Sequence, residues 1–506
     1  MTEVAAPANA TIDQLPIAEA RNVVRRLAEG EVPDPGARLI AVGRVDEVAS
    51  GVRDLEFAEE GGATFRVVTG RFGAGKTFYT SLMKFNALDR GFVVGKADFG
   101  PSVHLAGSHA LDLYRQLMSS MSTRGKMGGG ALTSILQRWL MTIEERTTAA
   151  QPAAGEPNAE STTPVAAEIR RTVARITEGA ANSYDFGRVL SSYYQGFTAG
   201  EAELFVSQRT GSWEVPSTEM GQPRERDRRI SGVELCSFAT RWLRGEYNNR
   251  SDAKRDLQVT SIPDSDTWFD QLKTFTALCR DAGYKGVFVT FDELHHVLNN
   301  SSSIRQKNWD QLLTIYNAAA QGQVQNFGIL LAATHEAFQD PRLGMCSYAA
   351  LRSRLMSSVY SHGEYGTLNS PVIELKQLTV KEQAVLLQRI DRCHLRASTR
   401  EEPASIDDIA TYLDRLNRRV GARVGNASGL VSMRDICRGW VDALNGWAQH
   451  PEVTLATVLT NTPPPRATSS DESAPPQADL DLEASVLQEI PPVANDLAAD
   501  FGVVGR

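Results

Sequence analysis

The stretch "VVTGRFGAGKTFYTSLM", residues 67 to 83, restricts this chain more than any other. Gly70, Gly75, Lys76 and Thr77 stand at the spacing G-x-x-x-x-G-K-[ST], in which glycines let backbone N–H groups converge on phosphate oxygens with no side chain in the way. That use of the pattern needs a strand before it and a helix after it. Phe65 to Thr69 is a compact β-prone run, and Phe78 to Leu88 carries apolar residues at helical spacing, so the order is met. The run Gly70, Arg71, Phe72, Gly73, Ala74, Gly75, Lys76, Thr77 and Phe78 is therefore the candidate nucleotide-binding loop. In it Lys76 would reach the outer phosphates of ATP and Thr77 would offer its hydroxyl to Mg²⁺. The helix beginning there would turn its positive dipole end on the anion.

Hydrolysis needs more than a loop: one carboxylate for the Mg²⁺ shell and another to orient attacking water. "KGVFVTFDELHHV" supplies both. Val287 to Phe291 is a nearly all-apolar run, and Asp292 and Glu293 follow at its carboxyl end, where open α/β sheets place their ligand crevice. We expect this strand next to the one that precedes the loop, with Asp292 holding Mg²⁺ through water and Glu293 polarising the nucleophile. A lone Asp-Glu pair could equally cap a helix; its company with the loop favours catalysis. His295 and His296 are adjacent rather than four apart. We therefore expect their side chains to diverge, one packing and one exposed, and to bind no metal.

Apolar runs at 91–99, 286–291, 327–334 and 371–375 alternate with helical stretches, the pattern of an α/β fold with a parallel sheet. We divide the chain into an N-terminal tail and helix over 1–38, with the helix at about Asp13 to Glu29, and a P-loop core over 39–376. That core carries a largely helical insertion at about 125–260, within which 148–165 reads as a linker and 209–229 as a polar loop ending in "RERDRR". A helical domain over 377–450, with helices near 379–395, 405–419 and 430–447, precedes a disordered acidic tail over 451–506. The net charge of −8 is concentrated there: residues 461–506 hold eight acids against Arg466 and Arg506. "LDLEASVLQEI", Leu480 to Ile490, spaces its apolar residues as one helical face, so the tail either folds on a partner or merely solubilises.

Five scattered cysteines with no C-x-x-C pair point to a reducing compartment without disulfides or structural zinc. With no run of eighteen apolar residues and no basic-then-apolar N-terminus, the expectation is a soluble, cytoplasmic protein without membrane contact. No zinc finger or RNA-binding signature is present, although "LNRRVGARVG" gathers Arg418, Arg419 and Arg423 in a short basic segment.

From about Leu39 to Ala448 these features together resemble the AAA+ ATPases. "AVGRVDEV" resembles the segment before the P-loop in that superfamily, which implies that Gly43 and Arg44 lie beside the adenine. "GILLAAT" ends in Thr334, at the position of a polar sensor, with His335 next to it. "ALRSRL" resembles the segment that gives an arginine finger to a neighbouring subunit, here Arg352 or Arg354. "GLVSMRDICRGWVDAL" resembles the lid helix whose arginine, here Arg434, reaches the γ-phosphate in cis. More narrowly, "RWLRGEYNNRSDAKRDLQV" with "CRDAGYKGVFVTFDEL" is similar to the BREX-associated ATP-binding proteins of the BrxC and BrxD type. This resemblance implies a Mg²⁺-dependent ATPase in bacterial anti-phage defence, assembling with its own copies or with other proteins of the defence locus and acting on DNA or a partner protein. The alternative is a slow ATP/ADP switch that signals by opening and closing its helical domain.

Overall fold

The apolar runs of the sequence become strands buried along nearly their whole length. The computed structural model describes residues 12–107, 109–150, 164–177, 183–206, 213–214, 228–356, 370–422 and 432–461. Strands β1 (Ala63–Gly70) and β2 (Val93–Asp98) come first, and a small antiparallel sheet follows from β3 (Glu203–Val206), β4 (Trp213–Glu214) and β5 (Arg229–Ser231). Strands β6 (Val287–Asp292), β7 (Phe327–Thr334) and β8 (Val372–Glu374) complete the set. The main sheet has the order β2-β6-β7-β1-β8 with every pair parallel, so all five carboxyl ends lie along one rim. Every residue of β6 and all but the last of β7 are buried, as expected of parallel strands covered on both faces.

One expectation about this sheet is corrected. The Asp292-Glu293 strand is not next to the P-loop strand, because β7 lies between them and pairs with both. Strands of similar apolar composition carry no mark of their order in a parallel sheet, since long crossovers let any of them be neighbours.

Helices α1 (Ile17–Ala28), α2 (Val45–Glu59) and α3 (Lys76–Asp89) precede β2. One face of the sheet is covered by α2 and α3, with Leu55, Leu82 and Met83 against Phe288 and Leu330. The stretch between β2 and β6, of which α5 to α9 fall in the expected insertion, contributes α4 (Ala110–Ser120), α5 (Leu132–Ala150), α6 (Pro164–Ile176), α7 (Ser183–Ala199), α8 (Gly232–Leu243), α9 (Arg250–Leu257) and α10 (Trp268–Asp281). Its apolar residues, Trp139, Trp242 and Trp268 among them, share one core with the other face of the sheet. Trp139 Nε1 and Arg146 donate to the two carboxylate oxygens of buried Asp281 at 2.9 and 2.8 Å, which satisfies a charge that would otherwise be costly there. The strands β3 to β5 were not expected in this region, and runs of two to four residues are too short to show a period.

After α11 (Ser302–Ala320), α12 (His335–Gln339) and α13 (Ala349–Leu355), the chain builds the lid from α14 (Val380–Ala397), α15 (Ile406–Ala422), α16 (Met433–Gln449) and α17 (Leu455–Asn461). Thr379 and Glu382 form a reciprocal capping box that sets the start of α14. Two features extend the lid beyond the segment 377–450. Val23, Val24 and Leu27 of α1 share its core with Leu387, Ile390 and Trp440, and Leu455 and Leu459 of α17 are buried in the same cluster. Among the described residues no helix is long and apolar enough to cross a membrane. The acidic tail from 462 and its "LDLEASVLQEI" segment, the extreme N-terminus, most of the 148–165 linker and of the 209–229 loop, Arg423, and the side chains of Arg418 and Arg419 lie outside the described residues.

Trp440 is fully buried, has its ring centre 5.1 Å from that of the tilted Tyr412 ring and donates from Nε1 to Leu387 O at 3.1 Å. Trp440→Ala should destabilise the lid by about 3–5 kcal/mol. Thermal unfolding should then show an early transition, and ATP should raise its midpoint less than in the parent.

Candidate functional site

The rim above β1 is shaped by the loop between that strand and α3. Gly73 sits at φ 79°, and a Cβ there would lie 2.6 Å from the Cβ of Ser432, so only glycine lets the loop pass beneath the start of α16. Gly75 caps α3 without a side-chain acceptor, which leaves the first-turn N–H groups facing outward for an anion. Lys76 Nζ folds back over the loop and donates to the carbonyls of Gly70 at 2.9 Å and Arg71 at 3.0 Å. Its ammonium is thus already held where phosphate oxygens would gather.

Across the rim, Thr77 Oγ1 donates to Asp292 Oδ2 at 2.8 Å. Asp292 is only 5% exposed, and its Oδ1 accepts the N–H of Glu293 at 2.8 Å. A hydroxyl and a carboxylate in contact form an oxygen-only donor pair, the kind Mg²⁺ takes when phosphate and water supply its other positions. The residues present therefore fit the ion. Glu293 has φ 59° and ψ 33°, left-handed backbone that turns its side chain off the strand line into the pocket wall.

The two histidines are corrected too. They do not diverge: on the 3₁₀ turn Leu294–Asn299 their rings lie 4.3 Å apart with an interplanar angle of 32°. His295 lines the pocket, and its Nδ1 stands 3.1 Å from Glu293 Oε2. Burial pushes its pKa below the ordinary histidine value; His296 and Lys76 push the same way, and Glu293 and Asp292 oppose them. Among the described residues no cluster of three or more His, Cys, Asp or Glu could hold a metal.

Beyond the P-loop the pocket becomes apolar. Val32, Pro33, Val42, Leu378, Leu386 and Met433 wall it, from the segment between α1 and α2 and from the lid. Such a slot suits a flat base, with the charged groups left for the phosphates. Most of this wall was not anticipated from the sequence, where the apolar Val32 among turn residues was the available sign.

The other anticipated residues divide by position. Phe78 and Arg434 line the pocket, and the Arg434 guanidinium stands 5.9 Å from the ring centre of half-exposed Phe72. Arg44 also lines it, but its guanidinium is a clamp, donating to Ala74 O at 3.0 Å, to Glu47 at 3.3 Å and to the carbonyl of Lys376. Gly43 packs against Leu378 and Glu382 of the lid. Thr334 faces Gly70 in register and lines the pocket while its hydroxyl accepts the N–H of Ala337 at 3.2 Å. His335 turns instead toward Glu374, 3.5 Å away. Arg352 and Arg354 are exposed on α13 and are not brought to this pocket; Arg354 donates to Ala350 O within its own helix at 2.8 Å.

The family model for the BREX system ATP-binding protein BrxC/D matches residues 15–208 and 231–463, a span that includes every wall of this pocket. The chain belongs to that family. Membership in BrxC/D makes it an ATP-binding protein of a phage-defence system, and the pocket just described is where its P-loop lies. The two matched segments leave out 209–230, which contains the whole basic run "RERDRR". Comparison with curated proteins and comparison with solved structures each give no match.

In this BrxC/D chain Lys76→Ala removes a charged donor from the phosphate end of the pocket. A hydrogen bond of this type is worth about 1.5–3 kcal/mol, so Kd for ATP should rise roughly 10- to 150-fold. Titration with a fluorescent ATP analogue measures it.

Proposed function

We propose that this BrxC/D-family chain hydrolyses ATP with Mg²⁺ as cofactor. The observation that supports this most is the Thr77–Asp292 hydrogen bond with Glu293 beside it, which joins the P-loop to a pair of carboxylates at one rim. Bound there, Mg²⁺ would neutralise charge on the phosphate oxygens. Thr77 and Asp292 would hold it, the latter through water. Lys76 would exchange its two loop carbonyls for phosphate oxygens, at little reorganisation because the ammonium is already in place. Glu293 would orient the attacking water and take its proton. Thr334 spends an acceptor position on Ala337, so its hydroxyl proton stays available to the water or the terminal phosphate. Arg434 would meet the phosphates from the lid, coupling lid position to the nucleotide present.

Arg352 or Arg354 would complete the site of a neighbouring subunit. Both are exposed and outside the chain's own pocket, as a finger used in trans must be. The assembly would be a homo-oligomer, or a hetero-oligomer with other proteins of the defence locus, acting in the cytoplasm on DNA or a partner protein.

Glu293→Gln should bind ATP with parental affinity and lose turnover by at least about a hundredfold, because an amide cannot accept the proton. Parental turnover in this variant, or turnover indifferent to chelation of Mg²⁺, would remove the hydrolysis reading. Turnover per subunit should rise with protein concentration. Mixing Arg352→Ala or Arg354→Ala with Lys76→Ala should restore part of the activity, since each defect lies on a different side of a shared site.

A further inference from the structure

Arg44 precedes α2 with φ 66° and ψ 14°, left-handed backbone that a residue with a Cβ keeps only where its surroundings hold it. Three hydrogen bonds supply that hold. Its side chain is 9% exposed; Nη1 donates to Glu47 Oε1 at 3.3 Å, and Nη2 donates to two carbonyls, Ala74 at 3.0 Å and Lys376. Both hydrogens of Nη2 are thereby taken, and because a guanidinium is planar these partners fix its orientation.

Ala74 lies in the P-loop. Its carbonyl and the N–H of Gly75 belong to one planar trans peptide unit, so the two groups point in opposite directions. A cation that fixes the carbonyl therefore aims the N–H. Gly75 lines the pocket, and its N–H has no acceptor among the described residues. We infer that Arg44 is a positioning residue of the phosphate cradle, holding the Ala74–Gly75 peptide so that the Gly75 N–H is presented to the phosphates of the nucleotide. This role differs from contact with the adenine, which the resemblance in sequence implied.

The same nitrogen ties the loop to the root of the lid, since Lys376 stands between β8 and α14. The segment around Arg44 is bound to the lid twice more. Buried Arg389 of α14 donates to the carbonyl of Ala41, and a Cβ on Gly43, at φ 65°, would lie 2.6 Å from Glu382 Oε1. The inference needs nucleotide binding only and stands apart from hydrolysis.

The test measures equilibrium binding of ATP, inorganic triphosphate and adenosine to the full chain and to Arg44→Met and Arg44→Lys. Triphosphate reports the phosphate end alone, and adenosine the base end alone. Methionine removes every donor, whereas lysine keeps the cation and loses the planar fork. Arg44→Met should raise Kd for ATP and for triphosphate about tenfold, and Arg44→Lys about threefold, with adenosine within about twofold of the parent in both. Parental triphosphate affinity in Arg44→Met overturns the inference. So does weakening confined to adenosine, which a base contact would give, or equal weakening of adenosine and triphosphate, which a general loss of structure would give. Parental triphosphate affinity in Arg44→Lys reduces the role to charge alone and overturns positioning. Should Arg44→Met fail to fold, the same comparison on Arg44→Lys decides. Turnover does not enter these measurements, so their failure leaves the hydrolysis reading standing.

Discussion

The hydrogen bond from Thr77 to Asp292 is the contact on which the site depends, because it joins two segments that the sheet holds apart. Thr77 follows β1 and Asp292 ends β6, with β7 between them. The gap can be closed only if all three strands run parallel and finish at the same rim. The pairings meet both conditions, since β1, β7 and β6 are parallel neighbours with Gly70 opposite Thr334 and Phe291 opposite Leu331. One short polar contact thus relies on a wholly apolar framework, and that framework could not place polar groups there without its loop and turn.

What the sequence made legible was the chemistry carried by fixed spacing. The P-loop and the Asp-Glu pair are local, so their residues announce themselves without a fold. Strand order is not local, and the position of β7 between β1 and β6 went unseen for that reason. The base end of the pocket was hidden in another way, since Val32, Pro33, Leu378 and Leu386 are ordinary apolar residues whose shared wall exists only after the chain closes on itself. His295 and His296 were misjudged because adjacent residues diverge in a helix or strand, whereas on the turn after β6 their rings lie close together. Arg44 was legible as a pocket residue, but its job as a clamp on Ala74 and Lys376 depends on carbonyls far away in sequence.

The division of labour around the pocket follows from burial. Asp292 is sheltered and doubly hydrogen bonded, which suits a group that must not wander. Glu293 is half open, which suits one that must meet water. Arg434 and Phe72 sit on opposite sides of the seam between lid and loop, so movement of α16 changes what the phosphate end contacts.

Helix α1 stands near the start of the chain, yet its Val23, Val24 and Leu27 are buried against residues of α14 and α16. During synthesis the P-loop therefore leaves the ribosome long before the surfaces that will seat α1 and wall in the base. A nascent or interrupted chain carries a phosphate loop but no closed base slot. Closure of that apolar slot thus belongs only to chains that have been made through the lid.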